Sequence, residues 1–286
     1  MDLMPRDILW LGLHKTGTTF LQKSLDRSQQ ALRAAGVGWV GLESFRSAWT
    51  RPLLHAGHPE PPAPAETFPA CPRRLVFDEN ILALVQDVVT PAGLYPQGAE
   101  RARIVARHLG LRAPLLVLGL RGFAGFLPSL YCETLKSTPF RPFRTFLRWP
   151  PEAMSWLPLV ERLCAAFPES PMLLYRAEDL PGREAQLLAE ITGLAPATFT
   201  LHEGIERPGF SQAALDAIAA QAEAGPVGPD QVKATAAALP RGAGRPGFDP
   251  WDARERGLLQ AIEARDLAAL RHRTAAPGAG VRLFTP

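Results

Sequence analysis

The sequence is poor in the residues from which disulfide frameworks and metal clusters are built. Only three of its 286 residues are cysteine, namely Cys71, Cys132 and Cys164. They form no CxxC pair, and no spacing around them is typical of a metal site. An odd number of scattered cysteines predicts free thiols in a reducing compartment, and the sequence predicts no bound metal.

Long apolar runs are also missing. No stretch approaches the roughly 20 apolar residues that a membrane-spanning helix needs. No long apolar segment precedes residues 8–13, which have the character of a core strand, so we predict no signal peptide. We therefore expect a cytoplasmic protein, of bacterial type, with no membrane span.

The chain also has almost no excess of one charge sign. Its 31 basic residues nearly balance 28 acidic ones, and the net charge is +3. No segment combines clustered basic and aromatic residues, so we predict no nucleic-acid partner. The weak excess of positive charge, mostly arginine, suits an anionic small ligand. The hydrophobic fraction of 47% and the length are ordinary for one large α/β domain.

What the sequence does contain is a regular alternation of short apolar runs with helical patterns. Five runs have the continuous apolar character of parallel strands, at residues 8–13, 37–40, 75–77, 115–120 and 172–175. The alternation predicts an α/β fold, a P-loop-like three-layer sandwich with a mostly parallel sheet of about five strands and helices on both faces.

We predict a single domain over residues 1–274. Within it, the proline-rich segments 41–72 and 139–151 are interpreted as lid-like insertions, since loops at the carboxyl edge of such a sheet carry function. Residues 275–286 are predicted to be a flexible tail.

Residues 12–19, GLHKTGTT, join the first strand to the first helix. A glycine-bearing loop at this position points backbone N–H groups and a helix N-terminus at an anion. Gly12 and Gly17 keep the spacing of a Walker loop, but Thr18 stands where that loop has lysine. The lysine is Lys15, inside the loop, where it would lie against the anion. Thr18 and Thr19 would donate hydroxyls, so a phosphate can be held without an obvious metal partner.

A second candidate anion site begins at the end of the fourth predicted strand. Arg121 follows that strand, and Ser129 lies eight residues later in a helical pattern. A guanidinium fork with a hydroxyl suits a phosphate monoester. Because parallel strands end at one edge of the sheet, we expect the loop 12–19, the turn 78–80, Arg121 and Glu178 to converge on one crevice.

Both segments resemble those of sulfotransferases. HKTGTT followed by Phe-Leu-Gln is similar to their loop for the 5′-phosphosulfate of PAPS (3′-phosphoadenosine 5′-phosphosulfate). Arg121, seven residues and Ser129, then Leu-Tyr, resemble their 3′-phosphate segment, although Gly122-Phe123 stands where Asn-Pro or Asp-Pro is common. YRAEDL at 175–180 is a smaller match, and the resemblance spans roughly residues 9–193.

The resemblance implies PAPS as co-substrate, PAP as product and no metal. The implied binding residues are His14, Lys15, Thr16, Gly17, Thr18, Thr19, Arg121 and Ser129. The basic segment 241–247 is either a counterpart of the loop that closes on the 3′-phosphate in cytosolic members or a solvated linker.

Sulfuryl transfer from PAPS to a hydroxyl or amine is an in-line displacement in which Lys15 would offset charge on the leaving phosphate. A general base should take the proton of the acceptor. Glu79 is the first candidate, with the alternative that it caps the following helix or pairs with an arginine. His55 is the second, with the alternative of a surface histidine. His14 either points into the core or orients the loop.

The acceptor implied is an unidentified small molecule, carbohydrate or lipid. Six aromatic residues are candidates either for stacking on it or for core packing: Trp39, Phe45, Trp49, Phe140, Phe143 and Trp149. Two other functions are considered. A P-loop-type kinase or nucleotide hydrolase requires a lysine after Gly17 and an acidic metal ligand, for which Asp78 and Asp179 are candidates. The other is a non-catalytic nucleotide-binding protein.

Overall fold

The computed structural model describes residues 6–204, 209–275 and 280–285, and its main sheet has six strands. The described residues form eight strands, which are in chain order β1 Ile8–Trp10, β2 Val37–Trp39, β3 Arg73–Phe77, β4 Val89–Thr90, β5 Gly93–Leu94, β6 Leu115–Leu120, β7 Met172–Arg176 and β8 Val281–Leu283. β4 and β5 form a separate antiparallel hairpin. The main sheet has the order β2-β3-β1-β6-β7-β8, and all its pairings are parallel.

Thirteen α-helices lie within the described residues. They are α1 Thr18–Arg27, α2 Gln29–Ala34, α3 Leu42–Phe45, α4 Arg51–Leu54, α5 Pro64–Thr67, α6 Gly98–His108, α7 Phe123–Thr134, α8 Phe143–Leu147, α9 Leu157–Ala166, α10 Glu184–Thr192, α11 Gln212–Ala224, α12 Pro229–Ala238 and α13 Ala253–Ala275. A π-helical segment, Arg46–Thr50, joins α3 to α4. None of the described helices has the length and apolar character to cross a membrane.

The sheet is covered on both faces, as the alternation of side chains along β1 shows. Leu9 packs in one core cluster with residues of α6, α7 and α9. Its neighbours Ile8 and Trp10 point the other way, into a second cluster with residues of α1, α2 and α10. The prediction of an α/β fold with a mostly parallel sheet and helices on both faces is therefore confirmed.

The strand order determines where a ligand site is expected. β1 lies between β3 and β6; after β1 the chain moves to β2 and β3 on one side, and from β6 it moves to β7 and β8 on the other. The carboxyl ends of β1 and β6 thus form a topological switch point, where open α/β sheets bind ligands. The loop 12–17 and Arg121 directly follow these two strand ends.

Two details of the prediction require correction. The main sheet has six strands rather than five, because part of the predicted flexible tail forms β8. Its residues pair with β7 from Met172 to Leu174, and Val281 and Phe284 are buried. Three residues on a sheet edge are too few to show a strand pattern in the sequence. Residues 276–279 and 286 of that tail lie outside the described residues.

Candidate functional site

A cleft of about 990 Å³ opens at the carboxyl edge of the sheet, between the ends of β3, β1 and β6. Eight of the predicted site residues line it: His14, Lys15, Gly17, Thr18, Thr19, Glu79, Arg121 and Ser129. Thr16 and His55 do not. The cleft has the size of a small-molecule or nucleotide site.

The loop after β1 turns sharply through two left-handed residues. Lys15 has φ 65° and Gly17 has φ 82°, and α1 begins at the next residue, Thr18, with no side-chain cap. The first N–H groups of an α-helix have no partner within the helix. Because Thr18 and Thr19 line the cleft, this uncapped N-terminus faces the cleft and favours an anion there.

Two further loop residues serve the loop itself. The hydroxyl of Thr16 donates to the carbonyl oxygen of Leu13 at 2.6 Å and is fully buried, so it stabilises the turn instead of facing a ligand. At Gly12 a Cβ would lie 2.7 Å from the ring of Phe77, so the backbone can pass the end of β3 only without a side chain.

Residues that follow β6 contact both the backbone carbonyl group and the side-chain ammonium group of Lys15. Its carbonyl oxygen accepts a hydrogen bond from Arg121 Nη1 at 2.8 Å. Its ammonium group donates to Glu133 Oε2 at 3.1 Å, and Lys136 donates to the same oxygen at 2.9 Å. Burial alone would raise the pKa of Glu133, but the two lysines outweigh it and lower this pKa to about 2. Glu133 is therefore a carboxylate at neutral pH.

Arg121 lies at the end of β6, and its guanidinium group lies over Gly125. A Cβ atom added to Gly125 would be 3.3 Å from two of the guanidinium nitrogens. The carbonyl oxygen of Arg121 accepts a hydrogen bond from Trp156 Nε1 at 3.0 Å. Burial lowers the pKa of Arg121, which marks a partly desolvated cation. Ser129, half-buried on α7, lines the same cleft.

Glu79 faces the cleft on the other side of the loop, directly after β3. Its carboxylate accepts from Gln22 Nε2 at 3.1 Å and pairs with Arg46 Nη2 at 3.0 Å. Burial alone would raise the pKa of Glu79, but Arg46 outweighs it and holds the pKa below its usual value. The residue begins a short 3₁₀ turn, and that turn is capped by Asp78, not by Glu79.

Asp78 ties the insertion 41–72 to the sheet. Its fully buried carboxylate accepts two hydrogen bonds from Arg46, at 2.9 and 2.8 Å, and one from Thr50 at 2.7 Å. Arg46 thus bridges a buried carboxylate and Glu79 in the cleft. Among the residues of both predicted insertions, all of which are described, Arg46 is the one that lines the cleft.

His14 is buried and orients the loop, which was one of its two interpretations. Nε2 lies 3.3 Å from Asn80 Oδ1, and Nδ1 lies 3.1 Å from the hydroxyl of Tyr95. Burial lowers the pKa of His14. A neutral ring with its proton on Nε2 satisfies both contacts, donating to Asn80 and accepting from Tyr95.

His55 was predicted as the second candidate base, but the structure does not bring it to the cleft. It follows α4 and lies nine residues beyond Arg46, after the π-helical and α-helical segments 46–50 and 51–54. Arg101 donates to the carbonyl of the preceding Leu54 at 3.4 Å, and burial together with this arginine lowers the pKa of His55. The insertion thus places His55 beside α6, where it does not line the cleft, although Arg101 also donates to the carbonyl oxygens of Asn80 and Ile81 next to Glu79.

The expectation for Glu178 is also wrong, and for the aromatic residues the structure favours the alternative of core packing. Glu178 does not line the cleft; it accepts a hydrogen bond from the N–H of Gly122 at 2.9 Å and so fixes the start of α7. None of the six candidate stacking aromatics lines the cleft either. Trp39, Phe45 and Trp49 are about 1% exposed and belong to the core.

Residues from the last third of the chain form the far wall. Segment 241–247 contains a turn with hydrogen bonds in both directions between Gly242 and Arg245, and residues 241–246 are exposed to solvent. Arg241, at its start, lines the cleft together with Phe210 and Arg256. Arg256 pairs with Asp249, which also lines the cleft.

Sequence reasoning missed several residues that determine the site, above all Arg46 and Glu133. Glu133 is four residues after Ser129, so the two share a face of α7, and this spacing was a usable signal. Arg46 lies in a segment without recognisable pattern, and only the fold brings it to β3.

Comparison of the chain with family models, with curated proteins and with solved structures finds no match. The function is therefore inferred from the cleft and its residues.

Proposed function

We propose that the protein is a PAPS-dependent sulfotransferase with a P-loop-like fold. The observation that supports this most is the meeting of the two candidate anion-binding segments in one cleft. The loop with Lys15 and the open N-terminus of α1 follows β1, and Arg121 with Ser129 follows β6. A ligand with phosphoryl groups at two positions matches this pair, whereas a single phosphate would use one.

The donor groups suit the oxygens of PAPS. Lys15, the hydroxyls of Thr18 and Thr19 and the first N–H groups of α1 would bind the 5′-phosphosulfate. Arg121 and Ser129 would bind the 3′-phosphate. Arg241, on the far wall, is a candidate for closing on the same ligand.

The acceptor is assigned to the other side of the loop. In the order β3-β1-β6, Arg121 is on one side of the loop and Glu79 on the other. If the donor spans β1 and β6, the acceptor lies at the end of β3, beside Glu79, Asn80 and Gln86. Amide and carboxylate groups there suit a hydroxyl or amine of a small molecule, carbohydrate or lipid.

The reaction is an in-line displacement at sulfur. A bond forms between the acceptor oxygen or nitrogen and sulfur, while the bond between sulfur and the 5′-phosphate oxygen breaks and PAP leaves. Glu79 takes the proton of the acceptor. Lys15 offsets the charge that develops on the leaving phosphate. Positioning and electrostatics by these side chains suffice for such a step, as in phosphoryl transfer.

A kinase or nucleotide hydrolase is less well supported. Asp78 is engaged by Arg46, Thr50 and the N–H of Asn80. Asp179, the other candidate metal ligand, pairs with Arg176 and does not line the cleft.

Calorimetric titration with PAP, ADP and ATP, each with and without Mg²⁺, tests the proposal. We expect metal-independent binding of PAP that is tighter than binding of ATP. ATP binding that requires Mg²⁺ and exceeds PAP binding would overturn the proposal in favour of the kinase alternative.

A further inference from the structure

The cleft contains its own counter-ions. Three of its cations are paired with carboxylates that also line it: Lys15 with Glu133, Arg46 with Glu79, and Arg256 with Asp249. The Lys15 pair differs from the others because Lys15 stands at the loop where an anion is expected. An anionic ligand and Glu133 therefore compete for the same ammonium group.

The geometry of Glu133 suits reversible exchange. One oxygen, Oε2, accepts from both Lys15 and Lys136, and the side chains of Lys15 and Glu133 are 19% and 21% exposed. Because solvent reaches the pair, screening reduces its net contribution to stability, and a phosphoryl group can take over the ammonium group. Lys136 stays beside Glu133 when Lys15 leaves, so the carboxylate does not lose its last cation.

The backbone of Lys15 does not depend on Glu133. Its left-handed conformation is held by Arg121, whose hydrogen bond reaches the carbonyl oxygen. The side chain can therefore move from Glu133 to a ligand while the loop keeps its shape.

We infer that Glu133 is a positioning residue for Lys15, which holds its ammonium group in the ligand-free cleft and yields it to a phosphoryl oxygen when an anionic ligand binds. The inference rests on the proposed function for the identity of the ligand. It requires only that a phosphoryl group binds at the loop.

Titration calorimetry with PAP tests this on the wild type, Glu133→Gln, Lys15→Met and the double variant. Glu133→Gln removes the competitor and keeps the shape of the side chain, so PAP should bind about fivefold more tightly. In the Lys15→Met background the same change should have no effect. Glu66→Gln, on exposed α5 and outside the cleft, is the control for net charge.

Three outcomes contradict the inference: unchanged binding in Glu133→Gln, weaker binding, or equal tightening with and without Lys15. Equal tightening would show that Glu133 repels the ligand directly. The titrations are repeated with inorganic pyrophosphate, which needs the loop alone. Tighter binding of pyrophosphate by Glu133→Gln, in a protein that does not bind PAP, supports the exchange and overturns the proposed function. Failure of the wild type to bind either probe overturns both.

Discussion

Arg121 Nη1 donates a hydrogen bond of 2.8 Å to the carbonyl oxygen of Lys15, a residue 106 positions earlier in the chain. The end of β6 thus holds the loop that follows β1. The left-handed backbone of Lys15 costs about 1–2 kcal/mol for a residue with a side chain, and this bond is one contact that maintains it. The two candidate anion-binding segments are consequently one structural unit.

This hydrogen bond predicts that Arg121→Lys weakens ligand binding and also lowers the stability of the protein. Lysine keeps the charge but cannot hold both a ligand and the carbonyl oxygen of Lys15 with a planar fork. We expect PAP binding to weaken by about tenfold or more, since hydrogen bonds to charged groups contribute about 1.5–3 kcal/mol. We also expect a lower melting temperature, measured by circular dichroism.

Ser129→Ala is the matched comparison. Ser129 lines the same cleft and lies on α7, but no contact of its side chain holds the loop. We expect weaker PAP binding with an unchanged melting temperature. If both variants lose the same stability, the bond between Arg121 and Lys15 does not support the loop.

Strain at Lys15 predicts that two substitutions there differ in their effect on stability but not in their effect on binding. Lys15→Ala and Lys15→Gly both remove the ammonium group and should weaken PAP binding equally. Glycine adopts φ 65° without steric cost, so Lys15→Gly should be more stable than Lys15→Ala by roughly 0.5–1 kcal/mol in urea unfolding, after its greater chain entropy is counted. Equal stabilities would mean that the loop relaxes away from the left-handed conformation.

The buried carboxylate of Asp78 predicts a large loss of stability on Asp78→Asn. The change leaves Arg46 with one carboxylate, Glu79, and removes the charge-assisted bonds that fasten the insertion to β3. We expect a loss of roughly 2–4 kcal/mol in urea unfolding. Thr50→Val removes a single hydrogen bond to the same carboxylate and should cost about 1–2 kcal/mol. A larger effect of the threonine change would contradict this assignment.

The pH dependence of stability should report the pairing of Glu133. Its pKa is depressed to about 2 from an ordinary 4.5, so its contribution is fully present above pH 4.5 and is lost as pH falls toward 2. Wild type should therefore lose more stability than Glu133→Gln between pH 6 and pH 3 in urea unfolding. Parallel curves for the two proteins would show that Glu133 has no ion pair in solution.

The fold was largely predictable because its strands are buried on both faces. A continuous apolar run such as Leu115–Leu120 needs no tertiary information to be recognised, and the structure has β6 at these residues. β8 was not predictable, since three residues on an edge carry too little pattern. The hairpin of β4 and β5 was missed for the same reason, having two residues in each strand.

The residues of the candidate site also differ in whether the sequence alone predicts them. Residues in the segments that follow strands, such as Lys15 and Arg121, were placed at the cleft because the ends of parallel strands meet at one edge. Arg46 lies in an insertion without a recognisable pattern, and only the fold brings it to the cleft. Glu133 reaches the cleft from the face of α7 that also carries Ser129. His55 was misplaced because the direction of the insertion depends on the buried bonds of Asp78, which the sequence does not reveal.

The remaining choice of base leads to a prediction for Glu79→Gln. Glutamine keeps the size of the side chain and its contact with Gln22 but cannot accept a proton. Transfer of labelled sulfate from PAPS to an acceptor should fall by roughly 10²–10⁴-fold, the usual contribution of a general base, while PAP binding stays within about twofold. His55→Ala, outside the cleft, should change neither quantity.

The pH profile separates these two residues further. Arg46 outweighs burial and keeps the pKa of Glu79 below its ordinary 4.5, so Glu79 is ionised throughout the neutral range. Transfer by wild type should stay level from pH 8 down to about 5, since a base with a depressed carboxyl pKa loses its charge only in more acidic solution. A decline between pH 7 and pH 6 is typical of an imidazole base and would refute the assignment of Glu79.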